Sequence, residues 1–257
     1  GFVQFQADDF EKATASFEAF MAKYKGKGDP AREQRVQIFL GRAHLEQRAY
    51  AKAEQVFETL STGAGAGAEA ALWQGRVFQR QRKHAEAEAT VASAMKQNAE
   101  DPLRPDLLFD LGQHQMAQQK FAEAGQSLDQ LLREFKGYDQ RADAVRHNAL
   151  CKHRAEDYAA SLALCREFLA ANSEAVGAAD MMFLEGENRF FLNQPKEAVV
   201  AYEAFIKAHD EHGQIPVARM RVGEASFEGK EWDQALAVFE AILKTNPEGA
   251  VYDQLKF

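Results

Sequence analysis

VARMRVGEASFEGKEWDQALAVFEAILKTNP, residues 217–247, reads as two helices joined by a turn. Gly223 stands on the first helix, Trp232 opens the second, and Ala235, Phe239 and Ile242 follow at the three- and four-residue spacing of one helical face. The alanine of this pattern has counterparts at Ala13, Ala53, Ala87, Ala124, Ser161 and Ala198, and the last four intervals in that series are 37 residues each. Twelve residues before each member stands Gly1, Gly41, Gly75, Gly112, Ala149, Gly186 or Gly223. Four residues after each stands Phe17, Phe57, Val91, Leu128, Cys165, Tyr202 or Phe239. A residue without a bulky side chain lets two helix backbones approach, and the large apolar residue fills the adjoining gap. Small therefore opposes large, repeat after repeat.

With Trp232-Asp233-Gln234-Ala235, Phe121-Ala122-Glu123-Ala124 and Phe10-Glu11-Lys12-Ala13 as its best copies, the chain resembles the tetratricopeptide repeat family along its whole length. Pro195 and His84 replace the aromatic in two copies, and Ser161 replaces the alanine in one. The resemblance implies an all-α fold, a right-handed α-solenoid of antiparallel helix pairs. On this reading residues 1–257 form a single array of about seven repeats, truncated at both ends within helices. Gly1 already fills a glycine site, and Val251 to Phe257 reads as the opening of a further first helix. Solenoids end in polar caps, so Leu255 and Phe257 mark an uncapped end suited to self-association. The 37-residue spacing is similar to repeats of bacterial envelope proteins of the Tol-Pal and outer-membrane-assembly type, which tilts an otherwise open compartment toward the periplasm or cell envelope.

Composition narrows the function. A formal net charge of −8 and a pI near 5.5 argue against general nucleic-acid binding, which needs a basic face. No run approaches the roughly 18 apolar residues of a membrane span. Cys151 and Cys165 lack metal-site or redox spacing and are too few for a disulfide framework. Asp29 before Pro30 is a helix start, because the carboxylate caps free N–H groups and proline suits the first turn.

In the family, the first helices line the concave wall, through positions three and six before the glycine site and one, four and five after it. Carried onto this sequence, that rule selects Arg42, Arg76, Arg80, Arg146 and Arg154, then Phe183, Phe190, Phe191, Met220 and Phe227. Such a wall suits a protein segment with an acidic part and an apolar part. The plainer reading is that the arginines pair with acids on adjacent helices and the phenylalanines pack between repeats. Phe190 and Phe191 are adjacent and point apart, so at least one belongs to the core. The lysine–asparagine clamp that grips C-terminal carboxylates is not matched: Ile38, Leu72 and Phe109 stand where its lysine belongs.

Other motifs read as structural. Glu69, Asp106, Asp143 and Asp180 fall in first turns of first helices, where the helix dipole favours a negative charge. Gly63 to Ala68 loosely matches a phosphate loop but lacks the preceding strand. His147 and Cys151 share a helix face that His153 does not, which leaves too few ligands for zinc. No catalytic constellation, metal site or cofactor site emerges. The expected function is a non-catalytic protein–protein interaction scaffold holding a partner segment in its groove. The alternative is a structural spacer or oligomerisation segment of a larger complex.

Overall fold

The structure is a computed structural model that describes residues 1–61, 67–97 and 100–245. The glycine-rich turn at 63–66 and the apolar end at Leu255 and Phe257 lie outside the described residues. Among the described residues there are fourteen helices and no strand. They form consecutive pairs matching a tetratricopeptide-like solenoid, and they group into two compact units, 1–138 and 139–257. The first unit holds α1 (Phe2–Gln6), α2 (Phe10–Tyr24), α3 (Pro30–Glu46), α4 (Tyr50–Ser61), α5 (Gly67–Arg80), α6 (His84–Gln97), α7 (Arg104–Ala117) and α8 (Phe121–Glu134). The second holds α9 (Arg141–Arg154), α10 (Tyr158–Asn172), α11 (Ala178–Phe191), α12 (Pro195–Ala208), α13 (Ile215–Glu228) and α14 (Trp232–Thr245). Odd-numbered helices are first helices and even-numbered ones second helices.

Small opposes large by direct contact. A Cβ placed on Gly1, Gly41, Gly186 or Gly223 would lie 2.4, 2.5, 2.5 or 2.3 Å from the ring of Phe17, Phe57, Tyr202 or Phe239. At Gly75 and Gly112 the clash is milder, 2.9 Å from Val91 and from Leu128. The remaining copy exchanges volumes: Ala149 brings the Cβ and Cys165 shrinks the filler, and both are fully buried. The alanines of the second helices, from Ala13 to Ala198, are buried at the same crossing. Each pair of helices is thereby set at its distance by one missing side chain and one filling it.

Turns within the pairs share one conformation. Asp8, Arg48, Arg82, Gln119, Glu156, Asn193 and Lys230, each seven residues after the small site, take φ of 55° to 63°. Left-handed backbone costs an L-residue roughly 1–2 kcal/mol, a cost that glycine escapes. Arg82→Gly and Glu156→Gly are each expected to raise stability by about 0.5–1 kcal/mol in urea unfolding, once glycine's extra unfolded-state entropy is offset. A loss of stability at both sites would show that their side chains make contacts that outweigh the strain.

The first helices hold the repeats in line. They touch the next first helix, α1 to α3, α3 to α5 and α5 to α7 in one unit, α9 to α11 in the other, while among the described residues second helices make no comparable contact. In the first unit, Gln47 and Gln118 also donate Nε2 to the carbonyls of Phe10 and His84 in the preceding second helix, at 3.0 and 3.1 Å. Asp29 caps α3 through the Ala31 N–H at 3.1 Å with Pro30 in the first turn, as its sequence requires. Glu69, Asp106, Asp143 and Asp180 occupy first turns of first helices. Ile38, Leu72 and Phe109 are core residues.

Candidate partner-binding wall

Along the first helices, the residue one after the small site meets the residue two before the next small site. Arg42 stacks its guanidinium on Trp73, 4.3 Å from the ring centroid, with Phe39 at 4.6 Å and Phe5 at 5.0 Å. Arg76 pairs with Asp110, Nε to Oδ2 2.7 Å, and lies 4.7 Å over the same Trp73 ring. In the second unit the charges are exchanged: Glu187 accepts from Arg221 Nε at 2.8 Å and from the Tyr202 hydroxyl at 2.6 Å. Burial outweighs the Arg76 guanidinium and holds the Asp110 carboxyl above the usual carboxylate range. Burial also lifts the Tyr202 hydroxyl, and the Glu187 charge adds to it, so Tyr202 stays a donor.

These contacts sort the expected wall residues. Arg42 and Arg76 serve joints between repeats, whereas Arg80 on the same unit is exposed. Phe183 is 9% exposed and packs edge-on against Phe205, with ring centroids 5.6 Å apart, so it belongs mainly to the core. Phe190 is half-buried beneath Arg221, 5.1 Å from its ring centroid, while the adjacent Phe191 is exposed and stacks on Tyr158 at 4.8 Å. Met220 and Phe227 stand with Phe190 in one hollow beside α14.

A second hollow, about 330 Å³, lies on α9 and α11 of this unit, with Gln214 just before α13 at its border. It brings Arg146 and Arg154 of α9 together with the edge of Phe183 and with Leu184 of α11. Arg146 runs against Gly177, where a Cβ would stand 2.6 Å from its Cδ, and pairs with Asp143 at 3.0 Å. Gly177 takes φ of 91°, so both backbone and space require glycine there. Arg154 is exposed and makes no ion pair among the described residues. His147, at the same hollow, is held below its ordinary pKa by burial first and by Arg146 second, so it adds no charge near neutrality.

Behind this hollow runs a buried polar chain that accounts for the departures in the fifth repeat. His153 Nδ1 lies 2.8 Å from Asn188 Oδ1, Asn188 Nδ2 donates to Ser161 Oγ at 2.8 Å, and Ser161 donates to the Ala149 carbonyl at 2.7 Å. Ser161 stands in place of alanine because it satisfies Asn188, which is fully buried. Asn188 also approaches Cys165 Sγ at 3.7 Å. Burial, then the Glu185 charge, push the Cys165 thiol up to about 12, which keeps it protonated and unreactive at neutral pH. For Arg76 the plainer reading, pairing with an acid on an adjacent helix, is the one observed; its specific partner was not named from the sequence, although opposite charges at Arg76 and Asp110, and again at Glu187 and Arg221, recur at a separation of 34.

Among the described residues no helix is long and apolar enough to cross a membrane. Comparison with known proteins agrees with the fold. The C-terminal part of a TPR repeat-containing protein from Cytophaga hutchinsonii superposes with a TM-score of 0.72 at 13% identity, covering 99% of this chain and 97% of that one. The apo form of RapI gives 0.67 at 12% identity, over 97% and 75% of the two chains. YrrB, described as a TPR protein with an unusual peptide-binding site, gives 0.64 at 13% identity, over 79% and 98%. No curated protein matches the chain by sequence. A tetratricopeptide repeat model matches residues 3–69, 72–139, 109–176 and 183–250, so the chain belongs to the tetratricopeptide repeat family, whose repeats build protein-interaction scaffolds.

Proposed function

We propose that this chain is a non-catalytic scaffold that holds a partner segment on the first-helix wall of its second unit. The observation that carries the reading is the exposed Arg154, without an ion-pair partner among the described residues, beside Arg146 and the edge of Phe183 in one hollow. A guanidinium that is free to pair and lies next to apolar surface suits a segment with an acidic side chain adjoining an apolar one. The peptide-binding site named for YrrB, on the same fold, supports a peptide-sized occupant. Arg42 and Arg76 act as joints in this reading, and Arg80 as a secondary contact on the first unit.

Panning displayed short peptides against the protein tests it. Selected sequences should pair Asp or Glu with Leu, Phe or Trp, and Arg154→Glu should weaken their binding about tenfold or more. Arg133→Glu, at an exposed site on α8, should leave binding unchanged. Equal losses from both variants would show only a general charge effect and would overturn the assignment.

A further inference from the structure

Where the second repeat meets the third, Leu45, Ala53 and Val77 are buried together in one apolar cluster. Where the fifth meets the sixth, the same three places are taken by His153, Ser161 and Asn188: four residues after a small site, the alanine site of the second helix, and two after the next small site. An apolar trio therefore fills this crossing without polar help. Exchanging a buried hydrogen-bonded set for apolar groups of similar shape is close to neutral for stability, so packing does not require the polar chain.

The hydrogens of that chain can be placed. Ser161 Oγ stands 2.7 Å from the Ala149 carbonyl oxygen, an approach that needs a hydrogen between the two, and the carbonyl has none to give. The hydroxyl hydrogen is therefore committed there, and Ser161 turns a lone pair to Asn188, which fixes the Nδ2 end of the amide toward it at 2.8 Å. The Oδ1 end faces His153 Nδ1 at 2.8 Å, and an amide oxygen only accepts. Nδ1 thus carries the hydrogen, and in the neutral ring Nε2 keeps a lone pair. Nε2 is not buried and has no hydrogen-bond partner among the described residues. The ring is held edge-on by Tyr158 and Phe191, with centroids 5.4 and 5.8 Å away, and it lines the same hollow as Arg146 and Arg154.

We propose that His153 is a specificity-determining residue of the wall, presenting Nε2 as a neutral acceptor, so that the bound segment carries a hydroxyl donor, a serine or threonine, beside its acid. The proposal rests on the wall reading and refines it. Arginines only donate, so Arg146 and Arg154 select acceptors, and Glu187 at the same hollow already accepts from Arg221 and Tyr202. A lone pair at Nε2 disfavours a carboxylate oxygen in its own place and favours a group that brings a hydrogen.

The tautomer can be read in the isotopically labelled full chain from long-range nitrogen–proton correlations of the ring, in mildly alkaline buffer. Wild type should show hydrogen on Nδ1 and none on Nε2. Ser161→Ala/Asn188→Val, which imports the Ala53 and Val77 pair, should stay folded and move most of the hydrogen to Nε2. In a selected acidic–apolar peptide, each position flanking the acid is then set to Ser or to Ala. At one position Ser should bind wild type about tenfold more tightly than Ala, and the double variant less than about twofold more tightly. Hydrogen on Nε2 in wild type would overturn the proposal. So would equal binding of the Ser and Ala peptides when both still respond to Arg154→Glu, which leaves the wall reading standing. Peptides indifferent to Arg154→Glu would remove the wall reading and this proposal with it.

Discussion

Gly41→Ala is expected to lower stability by about 2 kcal/mol, although alanine is the better helix former. The new Cβ would sit 2.5 Å from the fully buried ring of Phe57. Overpacking of this kind costs roughly 1–3 kcal/mol, and a clash that close belongs at the upper end. The gain in helix propensity, about 1 kcal/mol, offsets part of it. Phe57→Leu alone should cost roughly 1–3 kcal/mol through lost burial and a residual cavity. The double variant should cost less than the sum by 1 kcal/mol or more, because leucine yields the space that the new Cβ needs. Gly112→Ala, facing Leu128 at 2.9 Å, should cost less than Gly41→Ala. The pairing of Ala149 with Cys165 is the same exchange already present in the chain. Strict additivity in urea unfolding of the four Gly41/Phe57 variants would contradict the assigned register.

Acid should weaken the first unit most through His114, with buried His44 on α3 shifted in the same direction. His114 on α7 is fully buried, neither ring nitrogen has a hydrogen-bond partner among the described residues, and its pKa is lowered to about 4. Burial is the main cause, with His84 on α6 and Arg76 on α5 adding repulsion and Glu88 on α6 opposing them. The folded state thus binds this proton less readily than the unfolded chain, whose histidine titrates near 6.5. Its stabilising contribution is complete above pH 6.5 and falls away as the pH drops toward 4. The loss amounts to about 3 kcal/mol across that window. His114→Leu should remove it. Wild type minus variant, measured by urea unfolding at stepped pH, should be flat above 6.5 and slope between 6.5 and 4. A flat difference throughout would mean that His114 is solvated or paired in solution.

How much was legible in the sequence depended on the kind of contact. The small-to-large opposition was readable because it is a volume relation inside one repeat, so Gly41 and Phe57 declare it at fixed spacing. The caps at Asp29 and Pro30 were readable for the same reason, being local. Joints between repeats were harder, since Arg76 and Asp110, or Arg42 and Trp73, meet only after two helix pairs have stacked. A concave-wall rule selects such arginines by position and is blind to the partner that neutralises them. Phe183 shows the same limit: its position is right for the wall, yet α13 and the ring of Phe205 enclose it. Ser161 read only as a departure from the alanine pattern, whereas Asn188 gives it a reason to be there; Cys165, read as a buried side chain in the large-residue slot, is one, and Ala149 opposite it accounts for its smaller volume.

The proposed partner-binding set is a short one on α9 and α11 that includes Arg154. Titrating a selected acidic–apolar peptide into the isotopically labelled chain and following backbone amide shifts tests that assignment most directly. Perturbations should concentrate on α9 and α11, at Leu150, Arg154 and Leu184. Shifts confined to second-helix surfaces, such as those around Glu167 on α10 or Glu203 on α12, would contradict it.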